Sequence, residues 1–182
     1  LTGPLQYTIL KKPLAGLKSL KLLWLTENPN IKDYSPIAGV RGQLENYSSG
    51  GNGITDLKVL GISQMRSLKV LWLQNNQITD LTPLMSLKQL VGIDLRGNPK
   101  LSYAEIEKLK NALPKCSISH DALPPQLIAA QEKLREKNEE PGLRIRWTES
   151  TSALHIHNPK GRGESMGDLS PLRGLPIKHL SL

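Results

Sequence analysis

The chain has 182 residues with 33 leucines and no phenylalanine, an aromatic share of 4% and a formal net charge of +8. Its length fits one domain or two small ones, and 38% hydrophobic with 22% charged residues exclude disorder over most of the chain. No apolar run approaches the roughly 18 residues of a membrane helix, no charged start leads into an apolar signal stretch, and one cysteine excludes an internal disulfide framework and any multi-cysteine metal site.

A leucine excess calls for a search for internal repeats. Leu20-Lys-Leu-Leu-Trp-Leu-Thr-Glu-Asn28, Leu68-Lys-Val-Leu-Trp-Leu-Gln-Asn-Asn76 and Leu90-Val-Gly-Ile-Asp-Leu-Arg-Gly-Asn98 share one L-x-x-L-x-L-x-x-N frame. A degraded copy runs from Leu44 through Tyr47 and Ser49 to Asn52, so the asparagines at 28, 52, 76 and 98 follow each other at 24, 24 and 22 residues. The second and third leucines of each frame are two apart and point to the same side of a short strand. One coil cannot bury that side alone, so the pattern predicts stacked coils with parallel strands and a continuous leucine core. Asn28, Asn52, Asn76 and Asn98 are expected to form a ladder whose amides satisfy backbone groups where the chain leaves each strand.

After each asparagine comes a return block: Ile31-Lys-Asp33-Tyr-Ser-Pro-Ile37, Ile54-Thr-Asp56-Leu57, Ile78-Thr-Asp80-Leu-Thr-Pro-Leu84 and, later, Met166-Gly-Asp168-Leu-Ser-Pro-Leu172. These I-x-D-L-x-P-L segments resemble the short bacterial leucine-rich repeats of the internalin type. The resemblance implies an α/β solenoid: short parallel strands on a concave face, irregular or short-helical returns, and helical caps.

Further along, Ser102 and Glu105 have capping-box spacing, and Ile106, Leu109 and Leu113 share a helical face. This predicts a helix laid over the last coil as a C-terminal cap, ending in Leu113-Pro-Lys-Cys-Ser-Ile118. Residues 120–125 read as a link. Residues 126–138 read as an amphipathic helix with Leu127, Ile128, Gln131 and Leu134 on or near one face, stopped by Glu139-Glu-Pro-Gly142. Leu143-Arg-Ile-Arg-Trp147 and Leu154-His-Ile-His157 alternate apolar with polar residues about a turn, as a half-buried hairpin does. Ile177-Lys-His-Leu-Ser-Leu182 is another repeat strand. The predicted organisation is residues 1–119 as coils with a C-terminal cap, 120–125 as link, and 126–182 as an N-terminal cap opening a further repeat.

That order is backwards for a single array. It fits a window cut from tandem capped modules, or a circular permutant. Broken terminal coils would expose leucine core, so residues 176–182 are expected to pack beside residues 1–19, within the chain or by exchange with a neighbour.

The strand positions between the inward residues face the concave side: Leu22, Trp24 and Thr26; Asn46, Ser48 and Gly50; Val70, Trp72 and Gln74; Gly92, Asp94 and Arg96. Trp24 and Trp72 share one phase two coils apart, about 10 Å from each other across Ser48 at about 4.8 Å per strand. Exposed aromatic and aliphatic groups flanked by Glu27, Asp94 and Arg96 have the make-up of a protein-binding hot spot, and the resemblance implies partner binding on this face. The competing reading has the two rings covering each other or shielding the sheet.

Other chemistry finds little support. His155, His157 and His179 fall on outward phases, but no carboxylate of fixed spacing completes a zinc set. Cys116 reads as a small packed thiol. Gly50-Gly-Asn-Gly53 lacks the lysine and hydroxyl of a phosphate loop. The basic residues Lys11, Lys12, Lys18, Lys58, Lys88, Lys108, Lys110 and Lys115 lie in returns and cap, away from the tryptophans, which argues against nucleic acid. The expected function is a non-enzymatic recognition module that binds a protein or peptide, without metal or cofactor. The alternative is a structural or regulatory segment of a larger bacterial protein, since similar capped modules occur in multidomain proteins, some with kinase domains.

Overall fold

The computed structural model describes residues 14–157, 159 and 167–182. Of the expected packing of residues 176–182 beside residues 1–19, the part that falls on residues 1–13 lies outside the described residues. The chain forms two compact units, divided between Ala122 and Leu123.

In the first unit β1 (Leu22–Trp24), β2 (Asn46–Ser48), β3 (Val70–Trp72), β4 (Gly92–Asp94) and β5 (Ser117–Ser119) make a parallel sheet in chain order. Leu23, Tyr47, Leu71, Ile93 and Ile118 stand side by side in one register. They point inward with Leu25, Leu73 and Leu95, and the returns add Ile37, Leu57, Leu60, Leu84 and Leu87 to one continuous core. Each fully buried leucine stabilises the array by about 2 kcal/mol.

The fifth strand corrects the sequence expectation, which ended the cap at Ile118. Ile118 pairs with Ile93 and extends the sheet by one strand. Two serines around one isoleucine carry too little apolar signal to mark a strand by themselves.

The return blocks turn on their aspartates. Asp33, Asp56, Asp80 and Asp168 each accept the backbone N–H two residues on, from Ser35 at 2.8 Å, Lys58 at 2.8 Å, Thr82 at 2.8 Å and Ser170 at 2.7 Å. Each carboxylate satisfies a donor where a 3-10 turn begins, and the turns follow at Ser35–Ile37, Leu57–Leu60, Thr82–Leu84 and Ser170–Leu172. Proline occupies the early turn positions of three of them, where a missing N–H costs little.

The asparagines bind neighbouring coils to each other. The Asn52 side-chain carbonyl accepts from Asn28 N at 2.7 Å; that of Asn76 accepts from Asn52 N at 3.1 Å and Ile54 N at 2.9 Å; that of Asn98 accepts from Ile78 N at 3.1 Å. Their NH2 groups reach carbonyls of their own and the preceding coil. Asn76 donates to Leu73 O and Ser49 O, and Asn98 to Leu95 O and Leu73 O.

Helix α1 (Tyr103–Ala112) is the last return, with Ile106 and Leu109 buried. Ser102 Oγ accepts from Glu105 N at 3.3 Å. The Glu105 carboxylate turns to the preceding coil, accepting from Leu81 N at 3.1 Å and from Lys108 Nζ at 2.6 Å. A residue with capping-box spacing thus stitches the cap to the array.

In the second unit α2 (Pro125–Lys137) packs Leu127, Ala130 and Leu134 against β6 (Arg144–Thr148) and β7 (Ala153–His157), an antiparallel hairpin. Ile128 was expected near the buried face but is 43% exposed. Leu127, Ala130 and Leu134 recur at three and four residues, and the stripe they define leaves Ile128 outside it. Strand β8 (His179–Ser181) pairs parallel with β7.

Candidate functional site: the concave sheet face

The register aligns two outward rows. One holds Leu22, Asn46, Val70, Gly92 and Ser117; the other holds Trp24, Ser48, Trp72, Asp94 and Ser119. Parallel strands alternate side chains between faces, so every outward residue here is one position from a core residue. Ser117 and Ser119 join the face through the strand that the sequence did not reveal.

Its centre is aromatic. The Trp24 and Trp72 rings meet edge to face, with centroids 6.4 Å apart and planes at 81°. This is closer than the roughly 10 Å expected from strand spacing, because both long side chains lean over the short Ser48 between them. Ser48 lies beneath the pair at 5% exposure, and its hydroxyl bonds that of Thr26. Mutual cover is partial: Trp24 stays 45% exposed and its neighbour Leu22 47%. Val70 and Trp72 are half-buried.

Polar residues border this patch. Arg96 donates to both Asp94 oxygens, Nε to Oδ1 at 2.9 Å and Nη2 to Oδ2 at 2.5 Å, and the Arg96 N–H joins Oδ1 at 3.0 Å. Partial burial pushes the Asp94 carboxyl up, but the Arg96 bonds together outweigh it and hold the group below the ordinary carboxylate range. The two expected flanking charges thus form one neutral, oriented pair. On the opposite border Glu45 lies between Lys69 at 2.7 Å and Lys21 at 3.3 Å. Hydrogen bonds from Lys69 first and Lys21 second lower its pKa. The Gln74 amide lies against Gly50, where an added Cβ would come within 2.7 Å of its side chain. Glu27 sits in a left-handed turn at φ 59° beyond β1. Its backbone N–H donates to Gly50 O at 2.8 Å.

The remaining candidates are Cys116 and the three histidines of the second unit. Cys116 is half-buried, and that burial raises its thiol pKa, which disfavours the nucleophilic thiolate. His155, His157 and His179 are exposed on the second unit's sheet, and among the described residues no group of three potential ligands could hold a metal ion. Among those residues no helix is long and apolar enough to cross a membrane. The concave face combines apolar and aromatic surface with a polar border that includes the Asp94–Arg96 pair.

A family-model match agrees with the coil architecture. Residues 44–84 and 66–111 match the family model described as leucine rich repeats (2 copies). The chain is similar to internalin C2 from Listeria monocytogenes, at 31% identity and a TM-score of 0.49, over 59% of this chain and 44% of that one. It therefore spans less than half the length of that protein. No curated protein sequence matches the chain. Five strands in one register and the family-model match over residues 44–111 together show leucine-rich repeat coils in the first unit.

Proposed function

We propose that the concave face is a non-enzymatic docking surface for a protein or peptide, centred on Trp24 and Trp72. The observation that carries this reading is the edge-to-face ring pair left open to solvent beside exposed Leu22. Water contacts this apolar surface, and large aromatic side chains dominate binding energy where a partner excludes that water. Val70 continues the apolar area, while Glu27, Gln74 and the Asp94–Arg96 pair supply a polar border that fixes orientation.

The test compares the proteins captured by the wild-type chain with those captured by the Trp24→Ala/Trp72→Ala variant, both immobilised at equal density. Loss of a captured protein, with the variant's circular dichroism unchanged, supports docking on this face. An unchanged set removes the concave face from the proposal. The truncations remove no buried core side chain, so the variant is expected to fold.

A further inference from the structure

The sheet of the second unit carries an uncompensated basic face. Its register sets Arg144 opposite His157 and Arg146 opposite His155, while Ile145 with Ile156 and Trp147 with Leu154 occupy the other side. Across β7, His179 stands beside Ala153 and Ser181 beside His155. The outward positions are thus Arg144, Arg146 and Thr148, then Ala153, His155 and His157, then His179 and Ser181. None is acidic, and both arginines and all three histidines are exposed.

Basic groups directly opposite each other in an antiparallel pair oppose folding when both are charged. Several basic groups elsewhere are balanced: Glu45 sits between Lys21 and Lys69, Asp94 holds Arg96, and Asp168 holds Lys137. Arg144 and Arg146 have no ion pair among the described residues. A carboxylate-bearing partner would supply the missing charge, and guanidinium groups bind carboxylates through paired, parallel hydrogen bonds.

Geometry narrows the partner. Arg144 and Arg146 are two residues apart on one strand, so their stems are separated by about 6.7 Å, the spacing of alternate side chains in any extended peptide. A single-stranded nucleic acid would need outward aromatic rings, and Trp147 lies on the inward phase. A membrane surface would need outward apolar side chains to insert, and the one apolar outward residue, Ala153, is buried. The partner cannot simply add a strand to β6, because α2 closes that edge: Gln131 Oε1 accepts from Ile145 N at 2.8 Å and Arg135 Nε donates to Leu143 O at 2.6 Å. We infer that this face docks an extended acidic segment of a protein partner, with carboxylates at alternate positions lying over Arg144 and Arg146.

Fluorescence anisotropy of the full chain with a labelled Glu-Thr-Glu-Thr-Glu-Thr peptide in low salt tests this. Binding is expected to weaken roughly tenfold in the Arg144→Gln/Arg146→Gln variant. It should change less than about twofold in Lys58→Gln/Lys100→Gln, which removes the same charge elsewhere. A peptide with its three glutamates contiguous is expected to bind more weakly than the alternating one. Equal losses in the two variants, or no measurable binding, would overturn the inference. So would tighter binding to phosphatidylserine vesicles or an oligodeoxynucleotide than to the alternating peptide. Both double variants replace exposed side chains, and matching thermal melts confirm that folding is intact.

Discussion

The side-chain carbonyl of Asn76 accepts the backbone N–H of Asn52 at 3.1 Å, joining residues one full coil apart inside the array. The same oxygen takes a second donor from Ile54, and the NH2 of Asn76 reaches Ser49 O and Leu73 O. One buried amide therefore serves at least four backbone groups across two coils.

Truncating it removes the partner of Asn52 N, Ile54 N and Ser49 O, while Leu73 O keeps its bond from the Asn98 NH2. Asn76→Ala is expected to lower the stability of the array by about 3 kcal/mol or more, since each unsatisfied buried group costs about 1–3 kcal/mol. Urea denaturation should show a lower midpoint with an unchanged slope. A loss below about 1 kcal/mol would show that the ladder is incidental to stability.

The Trp24–Trp72 contact contributes to folding as well as presenting a surface. Single and double alanine variants, compared by denaturant unfolding, are expected to give a coupling energy of about 1 kcal/mol, the range of edge-to-face pairs. Strict additivity would mean that the rings touch without stabilising each other.

A glycine position sets a third expectation. Gly97 has φ +70°, and an added Cβ would stand 2.1 Å from Asn75 Oδ1 and 3.1 Å from Asn75 Cα. Gly97→Ala should destabilise the array by about 1–2 kcal/mol from backbone strain and this collision. Gly16→Ala, where nothing lies within 4 Å of the added carbon, serves as the neutral comparison.

Asp168 sets an expected acid response for the second unit. Its side-chain hydrogen bond from Lys137, followed by the backbone N–H and hydroxyl of Ser170, lowers its carboxyl from the ordinary 3.8 to about 2. A folded pKa below the unfolded one gives stability that is fully present above the unfolded value and is lost as pH falls through the folded one. The stability difference between wild type and Asp168→Asn should therefore hold above about pH 4 and shrink between about pH 4 and pH 2. Thermal melts across that interval decide it; a difference that stays constant would detach Asp168 from the acid response.

Much of the array was legible because its signals repeat. Leucines two apart define inward phases, and four asparagines mark where coils end. The cap helix announced itself through Ser102, Ile106 and Leu109. What stayed hidden depends on geometry that no local pattern encodes. Ile118 becomes a strand residue only through its pairing with Ile93. Asp33, Asp56, Asp80 and Asp168 were visible as a repeated letter, but their shared bond to the N–H two residues on is a property of the folded turn. The outward phase of Trp24 and Trp72 was readable from spacing. Their 6.4 Å approach was not, because it follows from how two side chains lean over Ser48.

The coils differ in length without disturbing the sheet. Tyr47 and Leu71, 24 residues apart, hold the same register as Leu71 and Ile93, which are 22 apart. The longer coil has two 3-10 turns in its return, Leu57–Leu60 and Ile62–Gln64, and the shorter has Thr82–Leu84 alone. Length variation is absorbed on the convex side and does not propagate to the concave one. The two faces are therefore separately editable: residues can be grafted into or removed from the returns of this protein as a scaffold while the spacing of whatever the concave strands display stays fixed.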